Sequence, residues 1–119
     1  MWTWDQSAGR LSRAGKSWRG YSGAGRGKNN PALQAAVGVG PIPRGRWTVI
    51  ARRDSPSTGP CTLVLVPDSN NETFGRSEFR IHGDSIAHPG TASHGCIILP
   101  RAVRDAIWAS GDRRLEVIA

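Results

Sequence analysis

The longest stretch of this 119-residue chain free of both glycine and proline is ten residues, because fifteen glycines and eight prolines are spread along it. In a helix interior glycine costs about 1 kcal/mol and proline about 3 kcal/mol relative to alanine, so a helical bundle is ruled out. Short strands joined by turns are what such punctuation allows. The opening "MWTWDQS" alternates Trp2 and Trp4 with polar neighbours, "AGR" and "RAGK" supply turns, and Trp18 and Tyr21 fall on a following strand. "RWTVIARR" (46–53) and "CTLVLVP" (61–67) are rich in β-branched and apolar residues and predict strands, with "DSPSTGP" turning between them. "FRIH" (79–82) predicts a short strand and "RRLEVIA" a last one. One helix is expected with Pro100 at its first position, Leu99, Val103, Ala106 and Ile107 on one face, and Gly111 as its stop. A short helical piece is expected at 31–36, inside a glycine-rich segment (20–45) too long to be an idle connection. The pattern predicts a mainly β (α+β) fold, compact and mainly antiparallel, sandwich- or barrel-like, with six to eight strands and one short helix. Trp47 and Trp108 are expected in the core, and Trp2, Trp4 and Trp18 in a cross-strand aromatic cluster.

This length suits one domain, residues 1–119, with one hydrophobic core. The apolar fraction of 38% and mean hydropathy of −0.39 fit a soluble globular protein. No run of about 18 apolar residues is present, so no membrane-spanning helix is expected. The N-terminus lacks a basic region followed by an apolar one, so no secretory signal is expected. Two cysteines are too few for a disulfide framework. Sixteen basic residues, fourteen of them arginine, stand against nine acidic ones for a net charge of +7. Such a surface attracts anionic polymers, whether nucleic acid, acidic headgroups or carboxylate-bearing cell wall, and arginine favours bidentate contacts to carboxylate or phosphate.

Chemistry concentrates in "HGDSIAHPGTASHGCI" (82–97), which holds all three histidines and one of the two cysteines. A zinc site would draw on His82, Asp84, His88, His94 and Cys96, but paired ligand spacings are absent and Gly83, Pro89, Gly90 and Gly95 preclude a helix carrying two histidines. Cys96 follows a glycine-containing turn, which would leave the amides of Gly95 and Cys96 pointing outward as oxyanion donors. Cys61 opens an ordinary apolar strand without a nearby histidine and reads as a packing residue. Thiol catalysis needs a base beside the nucleophile and a group orienting that base. His82 and His94 are the candidate bases, and His82, arriving from a separate strand, is the better placed. Its second ring nitrogen can donate to the Gly83 carbonyl or to Asp84, and an imidazolium beside it would lower the thiol pKa. "GAGRGKNN" fails as a phosphate loop, since that motif requires glycine at Ser22 and serine or threonine at Asn29.

"HGD…SHGC" resembles the signature of L,D-transpeptidases of the YkuD type, cysteine acyltransferases acting on peptidoglycan stem peptides. "GYSGAGRGKNNP", "VGPIPRGRWTV", "FGRSEFRIHGDSIAHPGTASHGCIILPRAVRD" and "SGDRRLEV" extend the resemblance over nearly the whole chain, to a small subfamily that includes type VI secretion L,D-transpeptidase-like effectors. The resemblance implies the L,D-transpeptidase fold, Cys96 as nucleophile and His82 as general base. It implies Gly83 or Asp84 as orienter, and Ser93, His94, Gly95 and the Cys96 amide around the oxyanion. The broader transpeptidases often carry an arginine two residues after the cysteine. Here Ile98 stands there, so the anchor for substrate carboxylate is expected in the glycine-rich loop, with Tyr21, Ser22, Arg26, Lys28, Asn29 and Asn30 as substrate-binding candidates. No role is assigned to His88, and neither a metal nor a cofactor is expected.

The implied reaction is attack of Cys96 on the carbonyl between diaminopimelate and D-Ala of a tetrapeptide stem. D-Ala leaves, and the thioester passes to water (L,D-carboxypeptidase) or to an amine (L,D-transpeptidase). The subfamily further implies an antibacterial toxin, made in the cytoplasm without a signal peptide and active in the periplasm of a target bacterium. A cognate immunity protein and a secretion-apparatus component are the implied partners. A housekeeping or phage-encoded enzyme would share these residues. Two other classes compete: a zinc hydrolase on His82, His88 and Cys96, and a basic nucleic-acid-binding module whose arginines would have to act although scattered.

Overall fold

The computed structural model describes residues 1–119. Nine strands form one sheet: β1 (Trp2–Asp5), β2 (Arg10–Arg13), β3 (Lys16–Arg19), β4 (Tyr21–Ser22), β5 (Gly45–Ser55), β6 (Gly59–Pro67), β7 (Arg80–His82), β8 (Ile97–Ile98) and β9 (Arg114–Ile118). One helix, α1 (Arg101–Ala109), lies between β8 and β9. The strand order is β3-β2-β1-β9-β5-β6-β7-β8-β4. The two edges, β3 and β4, are separated in sequence only by Gly20, so the sheet curls until it is nearly a closed barrel. At Gly20 the backbone passes so close to the Ile98 carbonyl and the Leu99 side chain that a Cβ has no room. Near-closure is one way a β fold limits exposed edges.

Six strand pairings are antiparallel; β1–β9 and β7–β8 are parallel. The mainly β class with one helix matches the expectation, and the strand count exceeds it because two-residue strands such as β4 and β8 carry too little pattern to be counted. Alternation sets the core: Trp2 and Trp4 on β1, Trp47 and Val49 on β5, and Leu115 and Val117 on β9 all point inward. The Trp2 and Trp18 rings meet tilted at 48° with centroids 5.7 Å apart, and Trp47 meets Phe79 edge-on at 5.1 Å. Trp4 is fully buried, but of the expected three-tryptophan cluster only the Trp2 and Trp18 rings pair, and Trp108 packs half-buried against the core.

Three local expectations need correction. Pro100 is the N-cap, one residue before the helix, where its missing N–H costs nothing. The buried helix face is Val103, Arg104 and Ile107; Ala106 is exposed, and Leu99 packs from the preceding chain. Arg104 is accommodated because it donates to the carbonyls of Leu99 (3.1 Å), Pro60 (2.7 Å) and Cys61 (3.1 Å), tying α1 to the start of β6. The helical piece at 31–36 shrinks to a single 3₁₀ turn, Pro31–Leu33, capped by the Asn30 side chain.

Candidate active site

The short strands β7 and β8 are parallel neighbours with Ile81 opposite Ile97, and both isoleucines are buried in the core. Side chains alternate along a strand, so Arg80, His82, Cys96 and Ile98 share the other face. The fold thus brings the "RIH" and "SHGC" segments side by side. Glu78, just before β7, has φ of 63°, a conformation uncommon outside glycine, and this bends the chain into the strand beside the cysteine.

His82 is buried, and its Nδ1 lies 2.9 Å from the Gly83 carbonyl. That contact requires the proton on Nδ1 and leaves Nε2 as a proton acceptor. Burial holds the imidazole pKa below its ordinary value; the Gly83 contact opposes this, and the charges of Arg104 and Arg80 reinforce it. Of the two expected orienters, the ring bonds Gly83. The Asp84 carboxylate is engaged elsewhere, accepting from the Tyr21 hydroxyl (2.6 Å) and from the amides of Ser85 (2.8 Å) and Gly90 (3.1 Å). Burial works to raise the Asp84 pKa, but these bonds outweigh it and hold the carboxyl below its usual range. Tyr21 also accepts from the Ala92 amide, and burial together with the Asp84 bond pushes its pKa up to about 12. Tyr21 and Asp84 therefore brace the loop after His82.

The Cys96 thiol is half-buried and donates to the Glu78 carbonyl at 3.8 Å. It makes no hydrogen bond to His82. Burial pushes its pKa above the ordinary thiol value, outweighing the Arg80 backbone N–H and the charges of Arg80 and Arg76. Burial thus works against both members of the expected thiolate–imidazolium pair, because it penalises both charged forms.

Ser93 is fully buried and organises the turn before Cys96. Its hydroxyl donates to the Cys96 carbonyl at 2.6 Å and accepts from the amides of Gly23 (2.9 Å) and Gly95 (3.1 Å). Of the two amides expected to point outward, that of Gly95 is consumed by Ser93; that of Cys96 has no hydrogen-bond partner. Gly95 has φ of 145°, and a Cβ there would strike Arg76 and Phe79, so this position admits only glycine.

Cys96 opens into a cavity of about 340 Å³ lined by Arg76, Glu78, Phe79, Arg80 and His94 among others. His94 sits at its rim with Nδ1 3.1 Å from the Gly38 carbonyl. A larger cavity, about 720 Å³, lies on the Gly83 side and is lined by Tyr21, Asp84, Ile98 and Arg104; it does not reach the thiol. Of the glycine-rich segment only Val37 and Gly38 line the cysteine's cavity; none of the residues expected to bind substrate does. Lys28 donates to the Gly90 carbonyl at 2.7 Å over the Tyr21 ring, and Asn29 accepts from the Ser22 amide. Asn30 donates to the Arg26 carbonyl, and the Ser22 hydroxyl donates to the Gly95 carbonyl at 2.9 Å. These contacts shape the loops around the site; Lys28, Asn29, Asn30 and Ser22 are engaged by neighbouring backbone, and the exposed Arg26 guanidinium lies outside the cysteine's cavity. His88 is exposed, and no three His, Cys, Asp or Glu side chains converge as a metal ligand set, so His82, His88 and Cys96 do not form one.

Two residues at this cavity escape a reading of the sequence. Arg76 is buried and donates to four carbonyls: Gln34 (2.6 Å), Pro41 (2.8 Å), Gly40 (2.7 Å) and His94 (3.2 Å). Its acceptors are backbone atoms far apart in sequence, which leave no motif. Arg80 did leave a signal, its spacing of two from His82 on one strand.

A family model described as the Tlde1 domain matches residues 16–117. Among solved structures, the chain is similar to an L,D-transpeptidase from Stackebrandtia nassauensis, with a TM-score of 0.59 at 14% identity, covering 99% of this chain and 54% of that one. It is likewise similar to an L,D-transpeptidase (residues 123–326) from Xylanimonas cellulosilytica, with a TM-score of 0.56 at 19% identity, covering 98% of this chain and 59% of that one. These likenesses show a common fold, and the chain spans little more than half the length of either structure. No curated protein sequence matches it.

Proposed function

The chain belongs to the Tlde1 domain family, and from that footing we propose that it is a cysteine acyltransferase acting on the tetrapeptide stem of peptidoglycan. The observation that carries the reading is the arrangement around Cys96: a thiol with an unpartnered amide of its own, on the face of the sheet it shares with an imidazole whose Nδ1 is fixed by Gly83. L,D-transpeptidases of the same fold support the substrate class.

In the proposed reaction a stem enters the cavity beside Cys96 with the carbonyl between diaminopimelate and D-Ala against the sulfur. The thiol proton passes to Nε2 of His82 as the S–C bond forms, and the Cys96 amide donates to the developing oxyanion. The C–N bond breaks, the imidazolium returns the proton to the departing D-Ala amine, and a thioester remains. Water, or the amine of another D-amino acid or stem, then attacks the thioester and restores the thiol. Proton transfer is coupled to attack because burial disfavours the charged pair at rest. In this proposal the protein is an antibacterial effector acting in a neighbouring cell's periplasm, with an immunity protein guarding its producer.

The test is incubation with purified tetrapeptide muropeptides, followed by mass spectrometry. Release of D-Ala, or its exchange for an added D-amino acid, in the presence of EDTA is the expected result. Release that EDTA abolishes would favour the zinc hydrolase, and absence of any product would sink the proposal.

A pH dependence follows from His82. A depressed imidazole pKa keeps the base neutral further into acid, and activity disappears as pH falls through that depressed value. The acid limb of kcat/KM, which reports the free enzyme, is expected below the ordinary imidazole value of about 6.5. An acid limb above that value, lost in His82→Gln, would contradict the assignment of His82 as a buried neutral base.

A further inference from the structure

We propose that Arg80 is the residue that receives a substrate carboxylate beside Cys96. The inference deepens the reading above and rests on it for the identity of the substrate. Arg80 lies two residues before His82 on the same face of β7 and lines the cavity into which the thiol opens. Its charge acts on the Cys96 thiol, favouring the thiolate against the effect of burial. None of the five ion pairs of the protein involves it, and its side chain makes no hydrogen bond, so the half-buried guanidinium keeps its full donor set for a ligand.

The other charges at this cavity are already committed or of the wrong kind. Arg76 is saturated by four carbonyls, and His94 is turned to Gly38. Glu78 carries a negative charge that repels a carboxylate. In the glycine-rich loop, the position expected from sequence to supply the anchor, Lys28 and Asn29 are bonded at Gly90 and Ser22, and Arg26 does not line this cavity. A planar guanidinium matches a carboxylate bidentately, a pairing that also fixes orientation. A tetrapeptide stem offers two such groups near the scissile bond: the terminal carboxylate of D-Ala and the side-chain carboxylate of diaminopimelate.

The direct test needs no turnover. Cys96 is alkylated with iodoacetate and, separately, with iodoacetamide, and the ratio of the two rates is measured. Both reagents meet the same thiolate, so any change in thiol pKa cancels in the ratio, and only attraction of the carboxylate remains. Fully buried Cys61 does not contribute. Arg80→Gln is expected to lower the iodoacetate/iodoacetamide ratio by about fivefold or more, fivefold being the size of one unit charge about 4 Å away fully screened by water, and Arg80→Lys to restore much of it. An unchanged ratio in Arg80→Gln overturns the inference whatever the enzyme does with peptidoglycan.

Turnover then identifies the carboxylate. Three stems are compared: the free acid, one amidated at D-Ala and one amidated at the diaminopimelate side chain. Arg80→Gln is expected to slow the free acid and only one of the amidated forms, and the form it leaves unaffected lacks the group that Arg80 binds. Equal slowing of all three overturns carboxylate binding by Arg80. Failure of the wild type on every stem overturns the functional reading, and the alkylation ratio still decides the role of Arg80.

Discussion

Cys96→Ala is expected to lower turnover of a tetrapeptide stem by at least about 10³-fold while shifting unfolding free energy by no more than about 1 kcal/mol. The large loss follows because Cys96 is the only thiol in the cavity; the other polar lining groups are two arginines, a carboxylate, a histidine already bonded to Gly38 and the Ser77 hydroxyl, a far weaker nucleophile than a thiol. The small effect on stability follows because the half-buried sulfur makes only one long contact, at 3.8 Å, to a backbone carbonyl. Cys61→Ala should show the reverse. That side chain is fully buried in the core beneath the Arg104 anchor, so its loss is expected to cost stability and spare activity. Assays of both variants beside urea unfolding curves separate the two thiols. Comparable activity in the two would remove the distinction between them.

Arg76→Met is expected to lower the unfolding free energy by about 3 kcal/mol, a large fraction of the total for a domain of this size. The buried guanidinium has no carboxylate partner; four carbonyls and the face of Phe79, 5.1 Å away, compensate its charge. Methionine fills part of the volume but leaves those carbonyls without donors, and unsatisfied buried acceptors are costly. The carbonyls belong to the segment around Gly40 and to His94, so the same change should loosen the turn that presents Cys96. Arg101→Ala is the control. Its pair with Asp105 is exposed, and such pairs contribute little, so an unfolding midpoint close to that of the unaltered protein is expected. Chemical denaturation of the two variants checks this, and equal midpoints would contradict the clamp.

The sequence exposed those parts of the molecule that rest on local pattern. The β-branched and apolar run in "CTLVLVP" and the spacing of Val103 and Ile107 reported strand and helix directly. The concentration of histidine and cysteine in 82–97 marked the site. What stayed hidden depends on long-range placement. Parallel pairing of β1 with β9 joins the two ends of the chain, and no local feature encodes it. The buried arginines read as surface charge because their acceptors are carbonyls, invisible to any residue code. That also changes the meaning of the +7 charge, since Arg76 and Arg104 are internal ties and do not attract polyanions. The ionisation of the pair is hidden for a related reason: a cysteine and a histidine in one motif suggest an ion pair, but burial, which no motif encodes, pushes the thiol up and the imidazole down.

The most direct measurement is mass spectrometry of the protein quenched in acid during reaction with a tetrapeptide stem, then cleaved and mapped. The expected result is a tripeptide joined as a thioester to the fragment carrying Cys96, with D-Ala released, no adduct on Cys61, and neither adduct nor release in Cys96→Ala. Release of D-Ala by Cys96→Ala at the rate of the unaltered protein, or an acyl adduct on any other residue, would contradict the assignment of Cys96 as the nucleophile.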